Sequence, residues 1–386
     1  MATKQPTAAN DTQESVKPFK IDVPQATLDD LQERLKRTRW TDGTVNSGWE
    51  YGTDLGFMKE LADYWQHHYD WRKHESYLNQ FNHFKANVDD VEVHFIHRRG
   101  KGPNPTPILL LHGWPDSFYR FHRVIPLLTD PVRHGGEANN SFDVIVASIP
   151  GFGFSEHRAL SNDELAELFA NLMTKVLGYQ KFVAAGGDAG SVIIQAMALN
   201  HPDVLSGIHL TDVGYPDHTT DFAFTDASGT EFAAFIQQWW MSEGAFNMIQ
   251  STKPQTLAIA MNDSPVGMAA WMLLLLREVE DKEELLTNIM IYWVTETIGS
   301  SFRWYYAASH AAPSPKHGQR SEVPAAVAHC PMDAPLPREW AARRVNLQHF
   351  TDFPRGGHFT AWMEPQIYAK DVADLCSNYV IVSKSN

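Results

Sequence analysis

Short apolar runs alternate with a helical pattern between residues 91 and 215. The runs at 91–96, 108–111, 144–149 and 182–185 have the length of buried strands, and residues 162–177 have the spacing of a helix. Two later apolar segments, one just before Asp333 and one at 345–350, predict further strands. Such alternation predicts a mostly parallel sheet covered by helices on both faces, which is an α/β architecture.

The segments outside this alternation are helical. Leu28, Leu31 and Leu35 recur with helical spacing, and we predict a helix over 28–40. The predicted organisation is a disordered polar tail at 1–17, a helix-rich extension at 18–90, a first core part at 91–215, a helical and aromatic-rich insertion at 216–322, and a second core part at 323–386.

A turn of small residues follows the predicted strand at 182–185, and residues 186–190 read Gly-Gly-Asp-Ala-Gly. This is the spacing of a G-x-S-x-G nucleophile elbow, a strained strand-to-helix turn that exposes its central side chain. Asp188 stands where that motif has serine. Because aspartate is already ionised at neutral pH, it can attack carbon without a base and form an ester. The alternative interpretation is a glycine-rich turn that uses Asp for turn chemistry alone.

Two backbone donors are predicted to face Asp188. The strand at 108–111 ends in His-Gly-Trp-Pro, a loop of the kind that supplies an oxyanion-hole N–H in hydrolases. We predict the N–H of Trp114 as one donor. The N–H of Ala189, at the start of the helix after the elbow, is the other, and it gains from the positive end of that helix.

A histidine and a second carboxylate follow predicted strands nearer the C-terminus. His358 lies on a loop beyond the strand at 345–350, where it can act as a base. Asp333 lies just past the preceding strand, where it can orient the imidazole. The chain order of nucleophile, acid and histidine is that of α/β-hydrolases, and it differs from the order in both protease types.

The sequence resembles the epoxide hydrolases of the microsomal and juvenile-hormone type from about Pro18 to the C-terminus. The motifs that carry this resemblance are Pro18-Phe19, Tyr69-Asp70-Trp71-Arg72, His112-Gly113-Trp114-Pro115, Gly186-Gly187-Asp188, Gln250 with Thr252-Lys253-Pro254, Tyr292-Trp293 and Gly356-Gly357-His358-Phe359. The resemblance implies an α/β-hydrolase fold with a mostly parallel central sheet, a helical lid insertion and an N-terminal helical meander. It also implies that Asp188 is the nucleophile, His358 the water-activating base and Asp333 its acidic partner, with Trp114 and Ala189 as oxyanion donors.

The same family places two lid tyrosines over the nucleophile, where they hydrogen-bond the epoxide oxygen. By this resemblance one is Tyr305, but the position of the other is occupied by Phe246. A phenyl ring cannot donate a hydrogen bond, so we expect slower ring opening or a restriction to epoxides that open readily. The candidate replacement donors are Tyr306, Tyr215 and His310.

Four aromatic residues are predicted to line the substrate pocket. Phe246 and Trp304 belong to the lid insertion, whose inner face is expected to select substrate shape. Phe152 and Phe154 belong to the loop that follows the strand at 144–149.

Net charge and composition limit the classes of binding partner that this protein is expected to have. The net charge is −14 and no basic cluster offsets it, which argues against nucleic acid or an anionic membrane as a partner. The first 17 residues lack the apolar region of a signal peptide, and the longest apolar run, at 269–276, is too short to cross a bilayer. Cys330 and Cys376 imply no disulfide framework. We therefore expect a cytoplasmic protein without a membrane anchor, metal or other cofactor, and leave a homodimer open.

The expected function is an epoxide hydrolase that turns a small hydrophobic epoxide and water into a vicinal diol, a detoxification chemistry. A haloalkane-type dehalogenase would use the same aspartate, histidine and acid, but it commonly has a tryptophan after the nucleophile, where this chain has Ala189. The second alternative, favoured by Phe246, is a hydrolase-fold protein that binds a hydrophobic ligand with little turnover.

Overall fold

The computed structural model describes residues 16–44, 47–215, 227–312, 314–316 and 318–380. Its strands are β1 (Lys17–Phe19), β2 (His83–Val88), β3 (Val91–Arg98), β4 (Thr106–Leu111), β5 (Phe142–Ala147), β6 (Phe182–Gly186), β7 (Leu205–Leu210), β8 (Ser321–His329) and β9 (Val345–Asp352). Its helices are α1 (Gln25–Lys36), α2 (Leu55–His67), α3 (Trp71–Leu78), α4 (Val124–Thr129), α5 (Asn162–Asn171), α6 (Ala189–Asn200), α7 (Ala227–Glu243), α8 (Ala245–Thr252), α9 (Pro254–Asp263), α10 (Pro265–Leu276), α11 (Lys282–Thr295), α12 (Ile298–His310), α13 (Arg338–Arg344), α14 (Thr360–Met363) and α15 (Pro365–Tyr379).

These strands form a sheet in the order β1-β2-β3-β5-β4-β6-β7-β8-β9. Neighbours from β5 to β9 are parallel, and β1, β2 and β3 join the β5 edge antiparallel. Strand β5 and the apolar ends of β4 and β6 are fully buried, which explains their continuous apolar runs. The predicted mostly parallel sheet is confirmed. The carboxyl ends of β4, β6, β7, β8 and β9 meet at one edge, where ligands bind in sheets of this kind.

The extension is not purely helical, because it contributes β1 and β2 to the sheet. The turn between β2 and β3 places Asp89 and Asp90 at φ values of 47° and 64°, the left-handed conformation that a tight hairpin requires. Sequence pattern did not indicate β2, because a strand with one partly exposed face carries Lys and Asn among its apolar residues.

Three predicted boundaries differ in the structure. The helix expected at 28–40 is α1, which begins at Gln25 and ends at Lys36, because apolar spacing marks the buried face of a helix and not its ends. Of the tail predicted at 1–17, residues 1–15 lie outside the described residues and Lys17 belongs to β1. The first part of the predicted insertion, 216–226, also lies outside them, and β8 begins at Ser321, inside its predicted end.

The extension is attached to the insertion through α11. Tyr64 donates a hydrogen bond to a Glu283 carboxylate oxygen at 2.7 Å, and Lys73 and His74 contact the other oxygen at 2.7 and 2.9 Å. One turn further along α11, the Thr287 hydroxyl forms a 3.0 Å hydrogen bond with the hydroxyl of Tyr69, which belongs to the extension. These contacts hold the outer face of α11 against α2 and α3.

Candidate active site

Asp188 occupies the turn between β6 and α6. Its φ is 55° and its ψ is −128°, a conformation that costs a residue with a side chain about 1–3 kcal/mol. The turn needs glycine on both sides because it packs directly on the end of β4. A Cβ on Gly186 or Gly190 would lie 2.7 or 2.2 Å from the carbonyl oxygen of Leu111. The sequence therefore builds a nucleophile elbow with aspartate at its tip.

The Asp188 carboxylate is held between two kinds of partner. Its Oδ1 accepts a hydrogen bond from the Trp114 N–H at 2.9 Å, and its Oδ2 lies 3.2 Å from Nε2 of His358. Burial raises the pKa of the carboxyl, but hydrogen bonding to His358 and to the N–H groups of Trp114 and Ala189 more than offsets this, so the net pKa is lowered. Asp188 is therefore an ionised carboxylate with one oxygen in the pair of predicted donors.

His358 lies between two carboxylates. Its Nδ1 is 3.1 Å from Oδ2 of Asp333, whose Oδ1 accepts the N–H of Ala334 at 2.8 Å. Burial alone would lower the pKa of the imidazole, but the charges of Asp333 and Asp188 raise it well above its usual value. In turn His358 overcomes the effect of burial on Asp333 and lowers the pKa of that carboxyl. The free protein thus holds an imidazolium between two carboxylates.

A buried ion pair joins the loop of Trp114 to the loop of His358. Asp116 accepts the N–H of Gly113 at 2.8 Å, and its other oxygen accepts from Arg120 at 2.8 Å. Arg120, which is 1% exposed, also donates to the carbonyl oxygen of His358 at 2.7 Å. Sequence analysis did not predict the Asp116–Arg120 ion pair. An Asp and an Arg at positions i and i+4 inside an apolar segment are a signal that could have indicated this pair.

This arrangement has counterparts in known proteins. The profile described as "Epoxide hydrolase N terminus" matches residues 16–121, and that of the alpha/beta hydrolase fold matches residues 106–269. Epoxide hydrolase 1 of Oryctolagus cuniculus is 34% identical over 407 residues, covering 93% of this chain and 88% of that protein. Juvenile hormone epoxide hydrolase 1 of Ctenocephalides felis is 32% identical over 408 residues, covering 93% and 85%. The chain belongs to the epoxide hydrolase family.

The solved structures agree with this assignment. The crystal structure of juvenile hormone epoxide hydrolase from Bombyx mori superimposes with a TM-score of 0.84 at 28% identity and covers 94% of both chains. The predicted α/β-hydrolase fold is therefore confirmed, and so is the resemblance on which the family was predicted. Epoxide hydrolases are hydrolases that act on ether bonds, and this chain is one of them.

The cavity beside Asp188 has a volume of about 160 Å³. Asp188, Asp333 and His358 lie on its wall. Apolar and aromatic side chains of α7, α8 and α10 form most of the remainder: Phe235, Ile236, Trp239, Trp240, Phe246, Leu274 and Leu275. The lining also contains the charged residues Glu243, Arg277 and Glu278. A small apolar chamber with charged groups near the nucleophile results.

Phe246 lines this cavity as predicted, with its ring stacked on Trp114 at a centroid distance of 5.6 Å. The Tyr305 ring is buried and packs edge-on against both rings of that pair, at centroid distances of 6.1 Å from Phe246 and from Trp114. Its hydroxyl forms no hydrogen bond with any described residue, and burial together with the charge of Asp188 raises the pKa of the phenol far above its usual value. Tyr305 is close enough to the nucleophile to respond to its charge.

Three predicted pocket residues lie elsewhere. Phe152 is fully buried, with its ring edge-on to the His112 ring at 5.2 Å. Phe154 packs in the extension interface, 5.2 Å from the Phe19 ring. The indole N–H of Trp304 donates to Asn162 at 3.2 Å, which directs that side chain away from the cavity. Phe152 and Phe154 differ from the prediction because a loop at a strand end can turn into the core as readily as into a pocket. Trp304 differs because it lies on the face of α12 that contacts Asn162.

Two further carboxyl groups surround the triad and were not predicted. Asp212, just past the end of β7, accepts the N–H of Asp188 at 2.8 Å; burial, with the charges of Asp188 and Asp333, raises the pKa of Asp212 to about 6. Glu278 lies against the His358 loop, and burial and the charge of Asp333 raise its pKa too. The strand-end argument used for Asp333 applies equally to Asp212 and would have found it.

Neither a metal centre nor a membrane span is found in the part of the chain that the structure describes. Among the described residues, no group of three or more His, Cys, Asp or Glu side chains is arranged to hold a metal ion. None of the helices described above is both long and apolar enough to cross a membrane. Both cysteines, Cys330 and Cys376, are free thiols.

Proposed function

We propose that the enzyme converts a hydrophobic epoxide to a vicinal diol through an ester on Asp188. The observation that supports this proposal is that the two carboxylate oxygens of Asp188 have different partners. Oδ1 already accepts the Trp114 N–H, whereas Oδ2 lies 3.2 Å from Nε2 of His358, and both residues line the cavity. Oδ2 is therefore the attacking oxygen, and Oδ1 becomes the ester carbonyl oxygen.

In the first step Oδ2 bonds to one epoxide carbon while the bond from that carbon to the ring oxygen breaks. In the second step a water molecule attacks the Asp188 carboxyl carbon and gives a proton to His358. The oxyanion that forms on Oδ1 is stabilised by the N–H groups of Trp114 and Ala189, where each donor of this kind is typically worth about 2.7–4 kcal/mol. Collapse breaks the bond from the carboxyl carbon to Oδ2. His358 returns the proton to the departing oxygen, and the diol leaves. The water oxygen remains in Asp188, whose new carboxyl group releases the second proton of the water to solvent; this balances the proton taken up by the alkoxide that ring opening formed.

The change in charge between the two steps explains how His358 becomes a base. In the free protein two carboxylates raise the pKa of His358, so the imidazole is protonated. Ester formation removes the charge of Asp188, and only Asp333 then continues to raise that pKa. Burial, which favours the neutral ring, gains weight at the same time. The imidazolium then releases its proton to solvent, so that in the alkyl-enzyme the neutral His358 ring can accept a proton from water; the ring is protonated again from solvent when Asp188 is regenerated.

The substrate class follows from the cavity. Its volume of about 160 Å³ and its tryptophan and phenylalanine walls favour a compact apolar epoxide, such as a terminal aryl epoxide. We propose no endogenous substrate beyond this class.

The test is a trapping experiment with His358→Gln. Incubated with styrene oxide, this variant is expected to gain the mass of one epoxide on the peptide that contains Asp188, because the ester forms but its hydrolysis is blocked. The double variant Asp188→Asn with His358→Gln should gain no mass. His67→Gln, a change at an exposed histidine on α2, should form diol like the parent enzyme.

A single-turnover reaction in ¹⁸O-water provides the second readout. The label should enter Asp188 before it reaches diol in later cycles. Label delivered directly into the first diol, with none in the protein, would refute the ester. Retention of the epoxide without diol or ester would instead support the ligand-binding alternative that Phe246 raises.

A further inference from the structure

Ring opening leaves negative charge on the departing oxygen, inside a cavity whose lining contains three carboxyl groups in addition to the nucleophile's own: Asp333, Glu243 and Glu278. That oxygen needs a hydrogen-bond donor. Phe246 covers the nucleophile from the lid and offers none. Tyr305 can supply one donor from the lid, because its ring is edge-on to Phe246 and its phenol responds to the charge of Asp188. A second donor is therefore to be sought elsewhere on the cavity wall.

Two of the candidate replacements are excluded by position. Tyr306 and His310 stack on each other at a centroid distance of 3.9 Å on the outer side of α12. Tyr306 is 43% exposed, and its backbone carbonyl is bonded to the His310 ring. Neither residue lines the cavity that contains Asp188.

Tyr215 has the required position. It lies on the loop after β7, and it is the hydroxyl-bearing side chain among the described residues that line the cavity with Asp188 and His358. Its ring is edge-on to Trp240 at 6.2 Å, and Trp240 in turn packs against Phe246 at 6.3 Å. Tyr215 therefore belongs to the same aromatic wall as the phenylalanine that lacks a hydroxyl.

The hydroxyl of Tyr215 is also available. It forms no hydrogen bond with any residue in the described part of the chain. The tyrosine senses the charges of Asp333, Asp212 and Asp188, so it lies within the electrostatic field of the triad. Burial, reinforced by these carboxylates, raises the pKa of the phenol well above its usual value, which keeps it protonated and able to donate.

We propose that Tyr215 is a catalytic residue that donates to the departing epoxide oxygen, opposite Tyr305, in place of the hydroxyl missing at Phe246. This inference rests on the proposed function. As Oδ2 of Asp188 bonds to carbon and the carbon–oxygen bond breaks, the phenol of Tyr215 gives its proton to the alkoxide. The resulting phenolate recovers a proton from solvent water before the next cycle. One donor then comes from the lid and the other from the sheet.

The experiment measures the two half-reactions separately in the full-length enzyme with styrene oxide. Rapid mixing follows ester formation through the fluorescence of the cavity tryptophans, and quenching followed by mass spectrometry confirms the ester. A positioned proton donor typically contributes about 10²–10⁴-fold, and two donors share that contribution, so Tyr215→Phe should slow ester formation about 10- to 100-fold. Hydrolysis of the ester should change less than about 3-fold, because the phenol has no part in it.

The controls separate chemistry from packing. Tyr215→Phe keeps the ring that contacts Trp240, and Tyr306→Phe, a change on the outer side of α12, should leave both rates unchanged. Phe246→Tyr restores a hydroxyl to the lid. In that background Tyr215→Phe should cost clearly less than in the parent enzyme, and this rescue would not occur if Tyr215 only supported the wall.

The possible results distinguish an error in the role of Tyr215 from an error in the proposed function. Parental ester formation in Tyr215→Phe, with Tyr305→Phe slowed, would overturn this inference and leave the proposed function intact. Equal slowing of both half-reactions, or no rescue by Phe246→Tyr, would also overturn it, since both indicate a structural role. Absence of any ester in the parent enzyme and in His358→Gln would refute the proposed function itself.

Discussion

Replacement of Gly113 by alanine is a sharp test of the active-site geometry. A Cβ on Gly113 would lie 2.2 Å from Oδ1 and 2.4 Å from Cβ of Asp188, whereas ordinary contact begins at 3.4 Å. The backbone of Gly113 is not in the left-handed region, so alanine meets no conformational penalty there. The whole effect of the change is therefore the collision with the nucleophile.

The size of the expected rate loss depends on whether the elbow backbone or the Asp188 side chain moves to relieve this collision. The elbow cannot withdraw, because Gly190 is already packed on the carbonyl of Leu111 with no room for even a Cβ. The Asp188 carboxylate must therefore move by about 1 Å. This displacement breaks its 2.9 Å hydrogen bond with the Trp114 N–H and its contact with His358. A misplacement of about 1 Å at a reacting atom typically costs about 10²-fold in rate. We expect Gly113→Ala to slow ester formation by at least about that factor.

The assay is single-turnover ester formation with styrene oxide, alongside thermal unfolding. The matched control is Gly178→Ala, which has open space around its Cβ among the described residues but a φ of +79°. That control should lose about 1–2 kcal/mol of stability with an unchanged rate of ester formation. Parental ester formation in Gly113→Ala would refute the placement of Oδ1 in the donor pair. If both variants lost activity in proportion to their loss of stability, that result would also refute it.

Three further predictions concern the groups around the triad. The pKa of Asp212 is about 6 in the folded protein and about 3.9 when unfolded, so its protonated form stabilises the fold at low pH and that contribution is lost as pH rises between these values. Asp212→Asn should therefore raise the free energy of unfolding above pH 6 by on the order of 3 kcal/mol, with no gain below about pH 4, as measured by urea denaturation. Arg120→Met leaves Asp116 as a buried unpaired charge and should cost about 3–5 kcal/mol, seen as a lower unfolding temperature; a stable variant would contradict the Asp116–Arg120 ion pair. The pKa of His358 from NMR titration of the free enzyme should exceed the pKa that limits ester hydrolysis in quench-flow experiments, because the ester removes the charge of Asp188; coincident values would contradict the ion triad.

The sequence predicted the parts of the site that are tied to strand ends. Apolar runs locate β4, β6, β8 and β9, and in a parallel sheet the residues just past those ends must meet at one edge. That rule alone brings Asp188, Asp333 and His358 together, at the distances of 3.2 and 3.1 Å seen here. Their catalytic roles remain proposals that the trapping experiment tests.

The remainder could not be predicted because it depends on contacts between distant segments. Arg120 reaches the carbonyl of His358 across 238 positions of sequence, and no local pattern encodes that contact. The inward turn of Phe152 and the rotation of Trp304 toward Asn162 are decided by packing and not by residue type. Tyr215 could not be chosen from the sequence for the same reason. Only the fold decides which of Tyr215, Tyr306 and His310 lies at the cavity.

The attachment of α11 to the extension has a consequence for how this enzyme acquires new substrates. Glu283 lies five positions after Glu278, so the part of the chamber wall formed by Leu274, Leu275 and Glu278 is held next to a fixed point, and changes there disturb folding. The wall formed by α7 and α8 carries Phe235, Trp239 and Trp240, which lie at least 40 positions of sequence away from that fixed point. Divergence in specificity, natural or engineered, should concentrate on that side, where the chamber can be reshaped while its support stays constant.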